Sequence, residues 1–309
     1  MGEQHGTSMA DAIDVMISEY VGAEIEEDVL RADVLARIKA MKGALPDWYL
    51  RELTACAKAA GVDADVLLYA QCEGDIKSFW KCTSYVAYGE ATDEGKVEIG
   101  RNFDYWGLGA TDRCVKTFVF IPDPGDGYAF VSVGWSGILG GWTFYNEKGL
   151  FACCNLGGYA SKNPTGVPAL VLLRMIAQKA ANVDEAVSLV RTTPRMRGAA
   201  LVLGQSGGAG SNPRGVVVQY DSERVDVEEA KDGLAFHSSV GTNRGTLRDI
   251  LRKANRKPTD AIHWAGNSIT LHSVAIRPAE NAIWVAHGLP EFAHRGGYVK
   301  YDLEELLKR

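Results

Sequence analysis

The run Cys82-Thr83-Ser84-Tyr85-Val86-Ala87 and the later run Gly100-Arg101-Asn102-Phe103-Asp104-Tyr105 hold the residues best suited to chemistry. A thiol has an ordinary pKa of about 8.5 and attacks well only when partly ionised. A guanidinium nearby favours the thiolate. A strand, a turn and a returning strand would bring Arg101 and Asp104 back beside Cys82. If the Lys81–Cys82 bond is broken, Cys82 also carries a free α-amine. Its ordinary pKa of about 7.7–8.0 suits a general base at neutral pH. Nucleophile and base then belong to one residue, Asp104 can orient the ammonium, and no distant histidine is needed. A cysteine that opens a strand is also commonly a plain buried thiol, and both readings stand at this point.

The elements that must position these residues change in texture at Cys82. Over the first 75 or so residues the pattern is helical. Val29, Leu30, Val34, Leu35, Ile38 and Met41 recur at helical spacing until Gly43 and Pro46 close the segment. A second helix is expected over 47–60, stopped by Gly61, and a third opens after Asp63. From Cys82 onward short β-rich runs take over, at 83–88, 97–102, 116–121, 128–133, 142–145 and 150–154. Turn clusters such as Pro122-Asp123-Pro124-Gly125-Asp126-Gly127 separate them. Two helices, 168–181 and 184–192, interrupt the strands, which resume at 199–203, 215–220, 268–276 and 282–286. Such an α+β order predicts a four-layer αββα sandwich, two antiparallel sheets with helices outside. Residues 1–81 read as a small helical domain or a helical prosegment that stays attached, and residues 82–309 are expected to form the catalytic domain. The glycine-rich segment 204–211 has no lysine and no helix pattern after it, so it reads as a hairpin loop and not a phosphate cradle.

From Lys81-Cys82-Thr83-Ser84 to Asp104-Tyr105 the chain resembles the N-terminal cysteine hydrolases. That group holds choloylglycine hydrolase and penicillin V acylase, acid ceramidase and N-acylethanolamine acid amidase, and the acyl-CoA:6-aminopenicillanic acid (isopenicillin-N) acyltransferases. Ala60-Gly61-Val62-Asp63 resembles the acyltransferase prosegment. Asn146-Glu147-Lys148-Gly149-Leu150 leading to Cys154-Asn155 resembles the family's strand with an oxyanion-hole asparagine. Pro168-Ala169-Leu170 to Arg174, with Asp184-Glu185-Ala186-Val187, resembles its helix pair; Gly241-Thr242-Asn243 and Leu271-His272-Ser273-Val274 resemble its Thr-Asn element and late strand. The resemblance implies an N-terminal-nucleophile (Ntn) fold, self-cleavage between Lys81 and Cys82, and cleavage of a non-peptide amide through an acyl-enzyme. It implies Cys82 as nucleophile and α-amine base, Arg101 and Asp104 as its supports, and Asn155 and Asn243 as donors to the tetrahedral intermediate. As plain sequence, both asparagines also suit a strand end or a turn. Two departures stand out. Arg244 follows Asn243 where the acyltransferase branch often has histidine, and 81 residues precede the cysteine where bile-salt and penicillin V enzymes usually carry only a start methionine. The second departure favours the acyltransferase and ceramidase-like branches.

Tyr105, Trp106, Trp135 and Trp142 are candidates to line an acyl pocket, or ordinary core. Arg195 and Arg197 read as a carboxylate-steering pair or a solvated loop. His237, His263, His272, His287 and His294 form no compact ligand set, so no metal and no cofactor is expected. His237 would be the external base if the chain were a thiol enzyme that never cleaves itself. The cysteines Cys56, Cys72, Cys82, Cys114, Cys153 and Cys154 lack zinc or redox spacing and are expected as reduced thiols. With 46% apolar residues, a mean hydropathy of -0.10 and no apolar run of roughly 18–20 residues, the chain reads as a soluble enzyme. Residues 1–81 hold 15 acidic and 8 basic residues and the remainder is nearly neutral, with no basic stripe. Neither nucleic acid nor membrane is therefore an expected partner. The start Met1-Gly2-Glu3-Gln4-His5-Gly6 lacks the basic and apolar regions of a secretory signal, which predicts a cytoplasmic enzyme. Expected partners are a small-molecule amide and the cleaved prosegment, with a homo-oligomer left open. The predicted function is an autoprocessing amidohydrolase. The alternatives are acyl transfer to an amine, an inactive binding protein and an unprocessed thiol enzyme.

Overall fold

Alternation along strand β1 (Lys81–Ala87) sets the layering of the computed structural model, which describes residues 1–22, 28–77, 81–105, 109–207, 212–287 and 293–308. Cys82 and Val86 point into the main core, while Tyr85 and Ala87 point the other way into a second cluster. A strand buried on both faces needs a layer on each side. On the inner side lies a second sheet, and on the outer side lie helices.

The first sheet runs β10-β1-β2-β11-β12-β13, with β2 at Glu98–Asp104, β10 at Leu234–Ser238, β11 at Thr270–Arg277, β12 at Ala282–His287 and β13 at Val299–Asp302. The second runs in chain order from β3 (Val115–Phe120) through β4 (Phe130–Trp135), β5 (Thr143–Asn146), β6 (Leu150–Asn155), β7 (Ala199–Gln205) and β8 (Arg214–Tyr220) to β9 (Val225–Glu229). Neighbouring strands are antiparallel throughout. The expected αββα sandwich is what forms.

Helices at the N-terminus are α1 (Gly2–Ser8), α2 (Ala10–Val15) running on into a π-helical stretch at Met16–Val21, α3 (Asp28–Lys42), α4 (Asp47–Ala60) and α5 (Ala64–Lys77). Of the α3 apolar positions, Ile38 and Met41 are buried and Leu35 is exposed; the side chains of Val29, Leu30 and Val34 lie outside the described ones. After the short α6 (Thr111–Cys114), α7 (Ala169–Lys179) and α8 (Val183–Thr192) cover the seven-stranded sheet. Leu170, Leu172, Leu173 and Ile176 of α7 are buried, each contributing about 1.5–3 kcal/mol. The outer cluster against the six-stranded sheet comes from α9 (Arg244–Leu251) and α10 (Asp260–Trp264) through Leu247, Leu251, Ala261 and Ile262. A last helix, α11, spans Leu303–Leu307.

The N-terminal helices share the main core with the strands. α1 lies so close to α4 that a Cβ on Gly6 would sit 2.2 Å from Cys56 O, and one on Gly2 2.1 Å from Glu52 O. Buried polar groups then tie this layer to the sheets. Glu52 of α4 pairs with the fully buried Arg174 of α7 at 2.8 Å. That guanidinium is held against the rings of Trp48, Phe120 and Phe130. Gln71 donates to Gly137 O and accepts from Leu139 N and Tyr49 Oη. His5 Nε2 accepts the Gly137 N–H at 2.9 Å. The Asp75 carboxylate accepts the Ala169 N–H at 3.1 and 3.2 Å, closing the first turn of α7 from another part of the chain.

Arg195 is not on a solvated loop. It is buried, and it donates to the carbonyls of Asp221, Val190 and Thr193. Arg197 Nη1 donates to Asp75 O at 2.7 Å. Both guanidinia satisfy backbone carbonyls that would otherwise be buried alone. No helix among the described residues is long and apolar enough to cross a membrane.

Candidate active site

Strands β1 and β2 form the expected antiparallel pair, with Cys82 opposite Phe103, Ser84 opposite Arg101 and Lys81 opposite Asp104. Directly opposed residues share a face. Cys82, Ser84, Arg101 and Phe103 therefore point between the sheets, toward the end of β6. Lys81 and Asp104 belong to the opposite face.

Cys82 is fully buried, and its Sγ contacts Cys154 O at 3.8 Å. Arg101, also fully buried, donates from Nη2 to the same carbonyl at 2.7 Å and from Nη1 to Asn155 Oδ1 at 2.7 Å and Ser84 Oγ at 2.9 Å. Ser84 Oγ donates in turn to Asn155 Oδ1 at 2.7 Å. The asparagine oxygen is thus fixed by two donors. Among the described residues its Nδ2 makes only long contacts, 3.3 Å to Ala200 O and 3.6 Å to Cys153 Sγ.

Arg101 makes no ion pair among the described residues, and its Nε has no hydrogen-bond partner among them. Asp104 accepts from Thr270 Oγ1 at 2.6 Å through Oδ1, while Oδ2 is buried and meets no donor among the described residues. Burial pushes the Asp104 carboxyl above the usual carboxylate range, against the pull of the Thr270 hydroxyl, nearby Asn267 and Arg101. Burial likewise pushes the Cys82 thiol up to about 12, and Arg101 beside it only partly offsets this. The guanidinium acts in the direction expected from sequence but is outweighed. Buried this way, the Cys82 thiol favours its protonated form.

Three further groups complete the surroundings. Ser239, just after β10, brackets Cys82: its Oγ accepts the Cys82 N–H at 2.9 Å and its N–H donates to Cys82 O at 2.9 Å. Phe103 stacks on Trp142 at 4.7 Å, on Tyr105 at 6.0 Å and on His272 at 5.1 Å, with Trp135 edge-on at 6.0 Å. Tyr20 from the N-terminal layer closes the cluster edge-on to Tyr105 and Trp135, its hydroxyl bonded to that of Tyr105. Three of the expected pocket aromatics, Tyr105, Trp135 and Trp142, therefore meet in one box beside Cys82; Trp106 lies outside the described residues. His272, fully buried, shares its Nε2 with Thr143 Oγ1 at 3.1 Å, and burial first and Arg101 second hold it neutral.

Asn243 is not brought to this group. It is exposed and caps α9, its side chain accepting from Thr246 N at 2.9 Å. The residue before it, Thr242, does reach β1, where its Oγ1 lies 2.8 Å from Thr83 Oγ1. Sequence reasoning missed Ser84, although its two-residue spacing from Cys82 on a strand already assigns both to one face. It missed Ser239, Thr270 and Tyr20 because each arrives from a distant segment.

Two antiparallel sheets between helical layers form the Ntn hydrolase fold. The family model for acyl-coenzyme A:6-aminopenicillanic acid acyl-transferase matches residues 91–260, more than half of the chain, and the chain belongs to that family. Its chemistry is accordingly that of the C–N bond, hydrolysis or N-acyl transfer. The matched span contains Arg101, Asp104, Asn155 and Asn243, and Cys82 precedes it. Among solved structures, an N-acylethanolamine-hydrolyzing acid amidase orthologue from Caenorhabditis elegans is similar at 16% identity. It covers 72% of this chain and 100% of that one, with a TM-score of 0.50. Penicillin V acylase from Agrobacterium tumefaciens matches at 15% identity, 74% and 88% coverage and a TM-score of 0.48. A mutant form of conjugated bile acid hydrolase from Clostridium perfringens matches at 11% identity, 72% and 93% coverage and a TM-score of 0.49. No curated protein matches the chain.

Proposed function

We propose that the chain is an N-terminal-cysteine amidohydrolase that first cleaves itself between Lys81 and Cys82. The observation that carries this reading is the buried Arg101 guanidinium beside Cys82, which has no ionic partner among the described residues. Arg101 has only neutral acceptors, and Asp104 keeps one oxygen without a donor among the described residues. Leaving a buried charge unpaired is expensive, commonly several kcal/mol. Cleavage would supply both missing partners, an α-ammonium for Asp104 and an accessible Cys82 thiolate for Arg101.

In the cleaved enzyme the Cys82 α-amine takes the Sγ proton, and Sγ attacks the substrate carbonyl. Asn155, oriented through its oxygen by Arg101 and Ser84, offers Nδ2 to the oxyanion. The amine leaves with the proton held at the α-nitrogen, and water hydrolyses the thioester. Asn243 enters only as the cap that fixes the Thr242 turn against Thr83. The aromatic box of Tyr105, Trp135 and Trp142 would receive the acyl group of a small-molecule amide, and the box is covered by Tyr20 in the intact chain. The many buried contacts of residues 1–77 favour a cleaved N-terminal segment that stays bound as the partner of 82–309.

Acyl transfer to an amine is the second reading, favoured by the activity after which the family is named. It uses the same thioester with an amine in place of water. A conventional thiol enzyme with His237 as base is disfavoured, because His237 Nε2 donates to Leu156 O at 2.8 Å. Intact mass under denaturing conditions tests the proposal. Wild type should give fragments of about 9 and 25 kDa, at about 110 Da per residue, and Cys82→Ala a single chain. Both chains remaining whole would remove the α-amine from the mechanism.

A further inference from the structure

We propose that Ser239 is the catalytic acid at the nitrogen side of the Lys81–Cys82 bond, an assignment that rests on the self-cleavage proposed above. Strands β1 and β10 pair from Thr83 opposite Ser238 to Ala87 opposite Leu234. One step further along the ladder, Cys82 and Ser239 form the next hydrogen-bonded pair. The Ser239 N–H donates to Cys82 O at 2.9 Å, as an antiparallel ladder requires. The reciprocal bond is different. Cys82 N–H goes to Ser239 Oγ, at 2.9 Å, and not to a backbone carbonyl. This nitrogen is the one that must leave when the bond breaks. A carbonyl in that place can only accept, whereas a hydroxyl accepts from the amide N–H and can then donate to the amine nitrogen.

The turn that carries Ser239 is held firmly. Ser238 Oγ accepts the N–H groups of Val240 and Thr242 at 3.3 and 3.2 Å, and it lies 3.1 Å from Thr83 Oγ1. Thr242 Oγ1 lies 2.8 Å from the same threonine hydroxyl. Ser239 itself is half-buried, so its hydroxyl can exchange protons with solvent. Its Oγ is also 3.4 Å from Cys82 O, the acceptor that holds its proton before reaction.

Sγ adds to the Lys81 carbonyl carbon and gives up its proton. The C–N bond of the tetrahedral intermediate breaks, its electron pair staying on nitrogen, and that nitrogen takes the Ser239 Oγ proton. The proton lost by Sγ returns to Oγ by way of water, so the hydroxyl ends unchanged. Water then hydrolyses the thioester to the Lys81 carboxylate and the Cys82 thiol. In the product, Oγ stays beside the new α-amine and can hold one of its hydrogens.

The test follows self-cleavage of the full chain by intact mass over time, from pH 5 to 9, for wild type, Cys82→Ala, Ser239→Ala and Ser239→Thr. Wild type should cleave and Cys82→Ala should not. Ser239→Ala should be slower by about 10²-fold or more, the usual size of a general-acid contribution. Its rate should climb toward acid pH, where solvent replaces the lost donor. Ser239→Thr, which restores the hydroxyl, should recover to within about tenfold of wild type. Ser239→Ala cleaving as fast as wild type overturns the assignment alone. Both serine variants slowing equally, with an unshifted pH profile, also overturns it and leaves a merely structural serine. Wild type remaining whole overturns the self-cleavage reading and this assignment together.

Discussion

Asn155 shows how one carboxamide can serve both stability and chemistry. Its oxygen is the shared acceptor of Arg101 Nη1 and Ser84 Oγ, and its nitrogen is the weakly bound end. Asn155→Ala strips an acceptor from two buried donors, and the expected cost is about 1–3 kcal/mol. Turnover of an amide substrate should fall by about 10²–10³-fold, as for loss of one oxyanion donor. Asn155→Asp keeps an acceptor beside the cation, so the melting temperature should largely return while turnover should not. Thermal melts and steady-state kinetics on both variants separate these effects. Equal recovery of stability and turnover in Asn155→Asp would place Asn155 outside the chemistry.

At the scale of elements, helices α1 and α5 dock through groups that titrate in opposite senses. His5 must be neutral to accept the Gly137 N–H, and burial followed by the Arg174 charge lowers its pKa to about 4. Its stabilising effect is full above the unfolded value of about 6.5 and is lost as pH falls toward 4. Burial raises the Asp75 carboxyl to about 7, against the pull of the Ala169 N–H and Arg197. Its contribution is full below about 3.9 and is lost as pH rises through 7. Between about pH 4 and 6.5 the two slopes oppose each other. Removing either should expose the other, at up to about 1.4 kcal/mol per pH unit. Relative to wild type, His5→Gln should lose stability as pH rises through this window, and Asp75→Asn should gain it. Denaturant melts at pH 4.5, 5.5 and 6.5 check this. Parallel profiles for all three proteins would show that neither group titrates as its surroundings indicate.

Across the whole molecule, the Glu52–Arg174 pair joins the N-terminal helices to the sheet-covering helix α7. Glu52→Ala leaves Arg174 charged and buried among aromatic rings, a loss expected to cost about 3–5 kcal/mol. The melting temperature should drop accordingly, and limited proteolysis should reach the N-terminal helices first. The same contacts predict the fate of the fragments after cleavage. On size exclusion without denaturant, wild type should elute as one species containing both pieces, and Glu52→Ala should release the smaller one. A freely separating fragment in wild type would mean that the shared core does not survive the break.

Much of the local frame is legible in the chain alone: the change of texture at Cys82, the β1–β2 return that faces Arg101 toward the thiol, and the helix pair before β7. These rest on period-two alternation, helical spacing and turn residues, all short-range signals. Asn243 does not belong here: read as an oxyanion donor or a turn residue, it caps α9, a helix that reading did not place. The reading failed at β9, β10 and β13 (Val225–Glu229, Leu234–Ser238 and Val299–Asp302). The first of these is a half-exposed edge strand rich in Asp and Glu, with little apolar signature. Long-range packing was needed to show that Ser239, 157 positions after Cys82, meets its amide nitrogen. The same packing sets Tyr20 over the aromatic box and makes burial outweigh Arg101 at the thiol. Partners joined by closing long loops leave no periodic trace in the chain, and the cost of burying a charge depends on every atom around it.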